Sequence, residues 1–289
     1  MPLPSLDMPE REAELRGRQW IAAGNLMLGV DVACGGRIVS FSRGGAEVLT
    51  PASLHPQNYG STLWDSPQST WNWPPRATLD SLPYRSWSEP KGLVMESEVD
   101  ATGMRFTKRF VGNALKRRIE IEYRIENCGP ASIRVAPWEV TRAPGGLSFF
   151  PIEAGGCLSP TALQPLVELD GICWYAYAPA VLERGRKLFA LGREGWIAHV
   201  AARQRQLFVK TFPITGQDAL APEQGAVEIW GHDDALYIEL ENHGAYRTLE
   251  PGESLSYPVC WSLEPLPDEL RVGIGDSRLL SLAREIATR

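Results

Sequence analysis

Apolar and polar residues alternate along most of the chain with a period of two. In Lys116–Asn127, KRRIEIEYRIEN, the apolar residues Ile119, Ile121, Tyr123 and Ile125 fall on one parity. Arg118, Glu120, Glu122, Arg124 and Glu126 fall on the other. Successive side chains of a strand point to opposite faces, so this run predicts a half-buried antiparallel strand with a charge-paired outer face. Comparable runs occupy Asn25–Ala33, Arg37–Arg43, Leu93–Val99, Arg105–Gly112, Ser132–Arg142 and Ile172–Tyr177. Others follow at Leu188–Gly192, Trp196–Ala201, Gln206–Phe212, Ala226–Trp230, Leu236–Glu241 and Ser254–Leu263. Turn residues such as Cys34–Gly36, Asn127–Pro130 and Pro251–Gly252 separate them. About a dozen short strands with almost no helical periodicity predict an all-β sandwich or barrel. One helix is expected, Asp276–Thr288, capped by Asp276 or Ser277, with Leu279, Leu280, Leu282 and Ile286 as its apolar stripe. No repeat and no linker breaks the pattern. The expectation is one domain over residues 1–289, its core running from about 20 to 265.

Pro51–Pro90 is the exception. It is poor in strand signal and dense in Trp, Pro, Ser and Gln. An irregular stretch of ~40 residues inside a compact domain is usually functional or disordered, and its indoles argue against disorder.

Composition narrows the function. With 44% apolar and 22% charged residues the chain is an ordinary globular one. A net charge of −6 speaks against non-specific nucleic-acid binding, which needs a basic surface. No apolar run approaches the ~18 residues of a membrane span. Met1–Trp20 is broken by Pro2, Pro4 and Asp7 where a secretory leader needs an apolar core, so a cytoplasmic location is expected. The five Cys include no CxxC pair, and the four His have no metal-ligand spacing. Phosphate-loop, dinucleotide and nucleophile-elbow motifs are absent too, so neither a cofactor nor a metal is expected. The sequence carries no signal for an oligomeric state.

Three segments retain chemistry. Asn58–Pro75, NYGSTLWDSPQSTWNWPP, brings Trp64, Gln68, Trp71 and Trp73 close together beside Asp65. Sugars offer an apolar C–H face and a rim of hydroxyls, so their sites pair aromatic platforms with amides and carboxylates. The alternative is that these indoles pack the loop onto the sheet. In Val135–Gly146, VAPWEVTRAPGG, strand parity sets Glu139 and Arg142 on opposite faces. A kink at Pro137 or after Arg142 would bring them together; otherwise they are a surface pair at a strand end. In the third segment, Lys210 shares a face with Phe208 and Phe212, unusual company for an ammonium. On the neighbouring run, Tyr237, Glu239 and Glu241 face one way and Ile238 and Leu240 the other. Two carboxylates ~7 Å apart on one strand face suit acid–base work, unless they simply form a charged outer face.

CGGRIVSFSRGGAEVLT (Cys34–Thr50) resembles the opening hairpin of galactose mutarotase-like proteins. Tyr237–Leu263, a carboxylate-bearing strand, an LEPGES turn and a strand ending near Trp261, resembles their closing strands. NYGSTLWDSPQ and APWEVTR resemble an uncharacterised bacterial domain family within that superfamily. The resemblance implies a β-supersandwich of stacked, curved antiparallel sheets with a sugar-binding cleft on the concave face. It further implies aldose 1-epimerase chemistry: a Glu on a late strand takes the anomeric proton and a His protonates the ring oxygen. Glu241 matches that Glu best and Glu239 is its close competitor. No His matches the mid-chain acid, which leaves Lys210, Arg142 or His243 as proton source, or a protein that binds a sugar without epimerising it. Trp64, Gln68, Trp73, Glu139, Arg142 and His243 are the expected substrate contacts, and a sugar or sugar acid is the expected partner. Two other readings stay open: a non-catalytic glycan-recognition module, and an isomerase or lyase for acidic sugars using Lys210 and Arg142 on the carboxylate.

Overall fold

The computed structural model describes residues 17–158, 166–177, 187–201, 204–232, 234 and 236–289. Residues 1–16, on which most of the leader reading rests, lie outside them. The described strands pair antiparallel in two stacked layers. The first layer runs in spatial order through Arg18–Ala23, Leu26–Asp31, Arg37–Arg43, Ser61–Ser66 and Ile133–Ala143. It continues through Ile238–His243, Val227–Gly231 and Lys187–Gly192. The second runs through Arg85–Glu89, Gly92–Glu96, Met104–Asn113, Arg118–Asn127, Ser254–Pro265, Gln206–Thr211 and Trp196–Ala201. Gly146–Cys157 serves both: its first half pairs with Trp196–Ala201 and Ile172–Ala176, its second half with Lys187–Gly192.

This is the all-β sandwich the alternation predicts. Leu28, Phe41, Ile229 and Leu240 of the first layer meet Phe106, Ile121, Tyr123 and Trp261 of the second. Burying side chains of this size stabilises by ~1.5–3 kcal/mol each. The outward parity of Arg118–Asn127 carries ion pairs, Arg118 to Glu120 and Glu126 to Arg105. The C-terminal helix, Ser277–Ala287, is capped by Asp276, whose carboxylate accepts from the backbone N–H groups of Arg278 and Leu279. It lays Leu279, Ala283 and Ile286 against Phe149, Trp174, Trp196 and Val209 on the far face of the second layer. No helix among the described residues is long and apolar enough to cross a membrane.

Pro51–Pro90 is less irregular than its sequence predicts. Ser61–Ser66 is a strand in the middle of the first layer, and all six of its residues are buried. Both of its faces are covered, so it shows no alternation to read.

One core histidine makes an early test. His199 is buried; its Nε2 lies 3.0 Å from the Pro144 carbonyl and its Nδ1 2.9 Å from the Ser148 hydroxyl. A carbonyl only accepts, so Nε2 carries the proton and Nδ1 accepts from Ser148. Burial holds its pKa down at about 4, with the Pro144 hydrogen bond opposing. Because the folded value lies below the ordinary 6.5, stability from this group is intact above pH 6.5 and is lost as pH falls toward 4. The loss should reach about 3 kcal/mol. Urea unfolding of His199→Gln against the parent at pH 7, 5.5 and 4.5 checks it: the variant should lack that slope, and an unchanged slope refutes the assignment.

Candidate functional site

The face of the first layer that turns away from the core receives the polar parity of its strands. Register then decides which side chains become neighbours, because directly paired residues project to the same side. On Ile133–Ala143 and Ile238–His243, Trp138 pairs with His243, Val140 with Glu241 and Arg142 with Glu239. Glu228 stands opposite Glu241, and Trp230 opposite Glu239. Lys187 stands opposite Trp230, and Trp64 opposite Trp138. Five adjacent strands thus contribute to one strip.

Lys187 is the hub of its deeper part. Its Nζ lies 2.6 Å from Glu228 Oε2 and 2.8 Å from Glu241 Oε2, and the Trp138 indole N–H donates to the same Glu241 oxygen at 2.7 Å. His243 stacks on Trp138 with 5.1 Å between ring centroids, its Nε2 3.2 Å from Glu228 Oε1. Burial pushes the Glu241 carboxyl up, aided by the charges of Glu228 and Glu239 and opposed by Lys187. Burial acts on Glu228 in the same sense, but Lys187 and His243 overcome it and hold that carboxyl below its ordinary value. Lys187 is held well above the ordinary lysine value by both carboxylates, against its own burial. A proton kept on Glu241 goes to Oε1, which has no hydrogen-bond partner among the described residues. The ligand atoms of Glu228, Glu241 and His243 lie within 4.8 Å of one another, a spacing that suits a metal ion. The Lys187 ammonium, however, already supplies a cation to both carboxylates.

Above this set opens a cavity of about 190 Å³. Four indoles wall it, Trp64, Trp73, Trp138 and Trp230, with the Asn58 and Gln68 amides at its edge. Lys187 and Glu239 pair with Trp230 from the two strands beside it, and the Lys187 ammonium reaches over to lie 4.8 Å from the Trp138 ring centroid. Glu239 is held by Arg142, whose Nε donates to Oε1 at 2.9 Å while Nη1 donates to Thr62 at 3.2 Å. Trp64 is fixed in turn: its ring lies 5.0 Å from the Arg142 guanidinium, and its N–H donates to Asp80 at 2.7 Å. A larger hollow, about 870 Å³, lies elsewhere, along Leu147, Tyr177, Arg205 and Val272. There Arg205 donates to the Pro267, Asp268 and Leu270 carbonyls.

A galactose mutarotase-like protein from Lactobacillus casei superposes with a TM-score of 0.63 at 11% identity, over 86% of this chain and 100% of that one. A galactose mutarotase related enzyme from Lactobacillus acidophilus gives 0.60 at 9% identity, over 88% and 100%. A candidate aldose 1-epimerase from Escherichia coli K12 gives 0.58 at 14% identity, over 86% and 99%. The fold is galactose mutarotase-like. A family model described as a domain of unknown function, DUF4380, matches residues 163–264. No curated protein matches the sequence.

Within this mutarotase-like fold the expected site residues separate into three groups. Trp64, Gln68, Trp73 and Glu239 line the cavity. Glu241, His243 and Arg142 share the same face but lie beneath it, fully buried. Lys210 and Glu139 are on the other side of the sheet, which corrects their assignment to the cleft. The Lys210 ammonium lies 2.8 Å from Glu139 Oε2 and donates to the Thr141 hydroxyl at 2.8 Å and the Leu240 carbonyl at 3.0 Å. Tyr123 donates to Glu139 Oε1 at 2.7 Å. The cause is parity: Lys210 shares its face with Phe208, and that face fills the core. No kink joins Glu139 to Arg142, since the strand runs unbroken from Ile133 to Ala143 and keeps them on opposite faces. Lys187, Glu228 and Trp230 were not expected at all. Lys187 was as conspicuous as Lys210 in a chain with five Lys, but only the pairing of its strand with Val227–Gly231 brings it to Glu241.

Proposed function

We propose that the protein binds a neutral aldose in the indole-walled cavity and interconverts its anomers. One observation carries this: on a mutarotase-like fold, a carboxylate, Glu239, and an ammonium, Lys187, line one cavity walled by four indoles. A pyranose held among these indoles meets both groups. Glu239 takes the proton of the anomeric hydroxyl as the bond from C1 to the ring oxygen breaks and its electron pair passes to that oxygen. Lys187, fixed by two carboxylates, stabilises the developing charge and delivers a proton to it. Rotation about C1–C2 and the reverse transfers close the ring on the other face.

Exchange NMR on glucose and galactose tests the reaction. Anomer interconversion should accelerate in proportion to protein concentration, and rates equal to buffer alone across a panel of aldoses would sink it. A non-catalytic glycan-recognition module is the second reading, favoured by how firmly Lys187 is paired. It predicts that Trp64→Ala and Trp73→Ala abolish sugar binding in calorimetry while Glu239→Gln leaves it intact. The acidic-sugar reading loses its support: Lys210 is sealed in the core and Arg142 is buried against Glu239.

A further inference from the structure

A second hollow adjoins the cavity. It measures about 280 Å³ against about 190 Å³ for the first, and the two have Asn58, Trp64 and Trp73 in common. Small-molecule sites run from ~300 Å³ upward. Neither hollow reaches that size alone; joined, they do. Trp73 borders both and is 51% exposed, so an open indole face is offered to a ligand that extends from one hollow into the other.

The outer hollow repeats the chemistry of the inner one. Tyr59 and Trp73 supply aromatic surface, Asn58 an amide, and Asp80 and Arg37 an ion pair at 3.0 Å. These groups are held in place: the Arg37 guanidinium lies 4.5 Å over the Tyr59 ring and donates to the Gln57 carbonyl at 2.6 Å. Asp80 accepts from Arg37 with one oxygen and from the Trp64 indole with the other. The carboxylate of the outer hollow therefore positions the indole that walls the inner one. Rigid polar groups beside an aromatic face suit a hydroxylated ring. Because the charges of Arg37 and Asp80 cancel, that ring is a neutral one.

Building on the sugar reading of the inner cavity, we infer that the full ligand is a reducing disaccharide. Its free anomeric ring sits at Lys187 and Glu239, and its second pyranose lies between Tyr59, Trp73 and Asp80. The glycosidic bond passes over Trp73 and stays intact, since only the ring C–O bond of the inner sugar opens and closes.

Calorimetry with glucose, galactose, cellobiose, lactose and maltose tests this on the parent and on Ala77→Trp. Ala77 is exposed and borders only the outer hollow, so the added indole blocks that hollow alone. At least one disaccharide should bind tenfold or more tighter than its monosaccharide. Ala77→Trp should abolish that gain and change monosaccharide affinity less than twofold. Ser81→Trp, which fills the same space from another position, substitutes if Ala77→Trp does not fold. Equal affinities, or a gain that survives both blocking variants, overturn the second subsite while leaving the monosaccharide reading intact. Failure of all five sugars to bind overturns both.

Discussion

Glu239→Gln should lower protein-catalysed anomer exchange, measured per folded molecule, by about 10²–10⁴-fold, the range typical of a lost general base, and should also cost stability because the buried Arg142 loses its counter-charge. Glu239 is the carboxylate that lines the cavity, and Arg142 holds one of its oxygens at 2.9 Å. A glutamine of the same shape still accepts from Arg142 through its carbonyl but takes no proton. Glu241→Gln is expected to behave differently. Glu241 lies beneath the cavity and touches Lys187 and Trp138, so it acts by positioning the ammonium. Its replacement should shift the pH profile of exchange and change the rate less than Glu239→Gln does. Exchange NMR on both variants from pH 5 to 9 separates the roles. A larger rate loss in Glu241→Gln would move the base to the deeper position.

Lys210→Met should cost about 3–5 kcal/mol of stability, because it leaves the Glu139 carboxylate buried without its counter-charge. Both side chains are almost wholly inaccessible, at 1% and 0% exposure, so solvent offers no compensation. The double variant Lys210→Met with Glu139→Gln should recover most of the loss, since removing both charges leaves none unpaired and Tyr123 keeps a partner. Urea unfolding of the single and double variants measures both effects. Exchange activity per folded molecule should be close to the parent in the double variant, because this pair lies behind the strand and not in the cavity. A loss below 1 kcal/mol in the single variant would contradict the charged-pair assignment.

These two experiments separate side chains that the sequence brings into one list. Alternation exposes the parity of Arg118–Asn127 and of Ile238–His243, and the cap at Asp276 marks the C-terminal helix within a residue. The same rule, applied to Lys210 beside Phe208, already points that lysine inward. Ser61–Ser66 escapes because a strand covered on both faces has no period to detect. Lys187 and Glu228 escape for another reason. Glu228 sits on an expected strand and Lys187 just ahead of one, but their meeting depends on which strand lies beside which, and that is fixed by contacts distant in sequence. The indole cluster is legible as composition, whereas its division between two hollows is not.

Pleating insulates the cavity chemistry from the interior. Along Ile238–His243, even-numbered Ile238 and Leu240 anchor the molecule while odd-numbered Glu239, Glu241 and His243 face the opposite way. Three side chains of a single short segment are thus available for retooling, by natural drift or by design, with the hydrophobic anchor left in place. A scaffold arranged this way can change what it transforms while remaining the same shape.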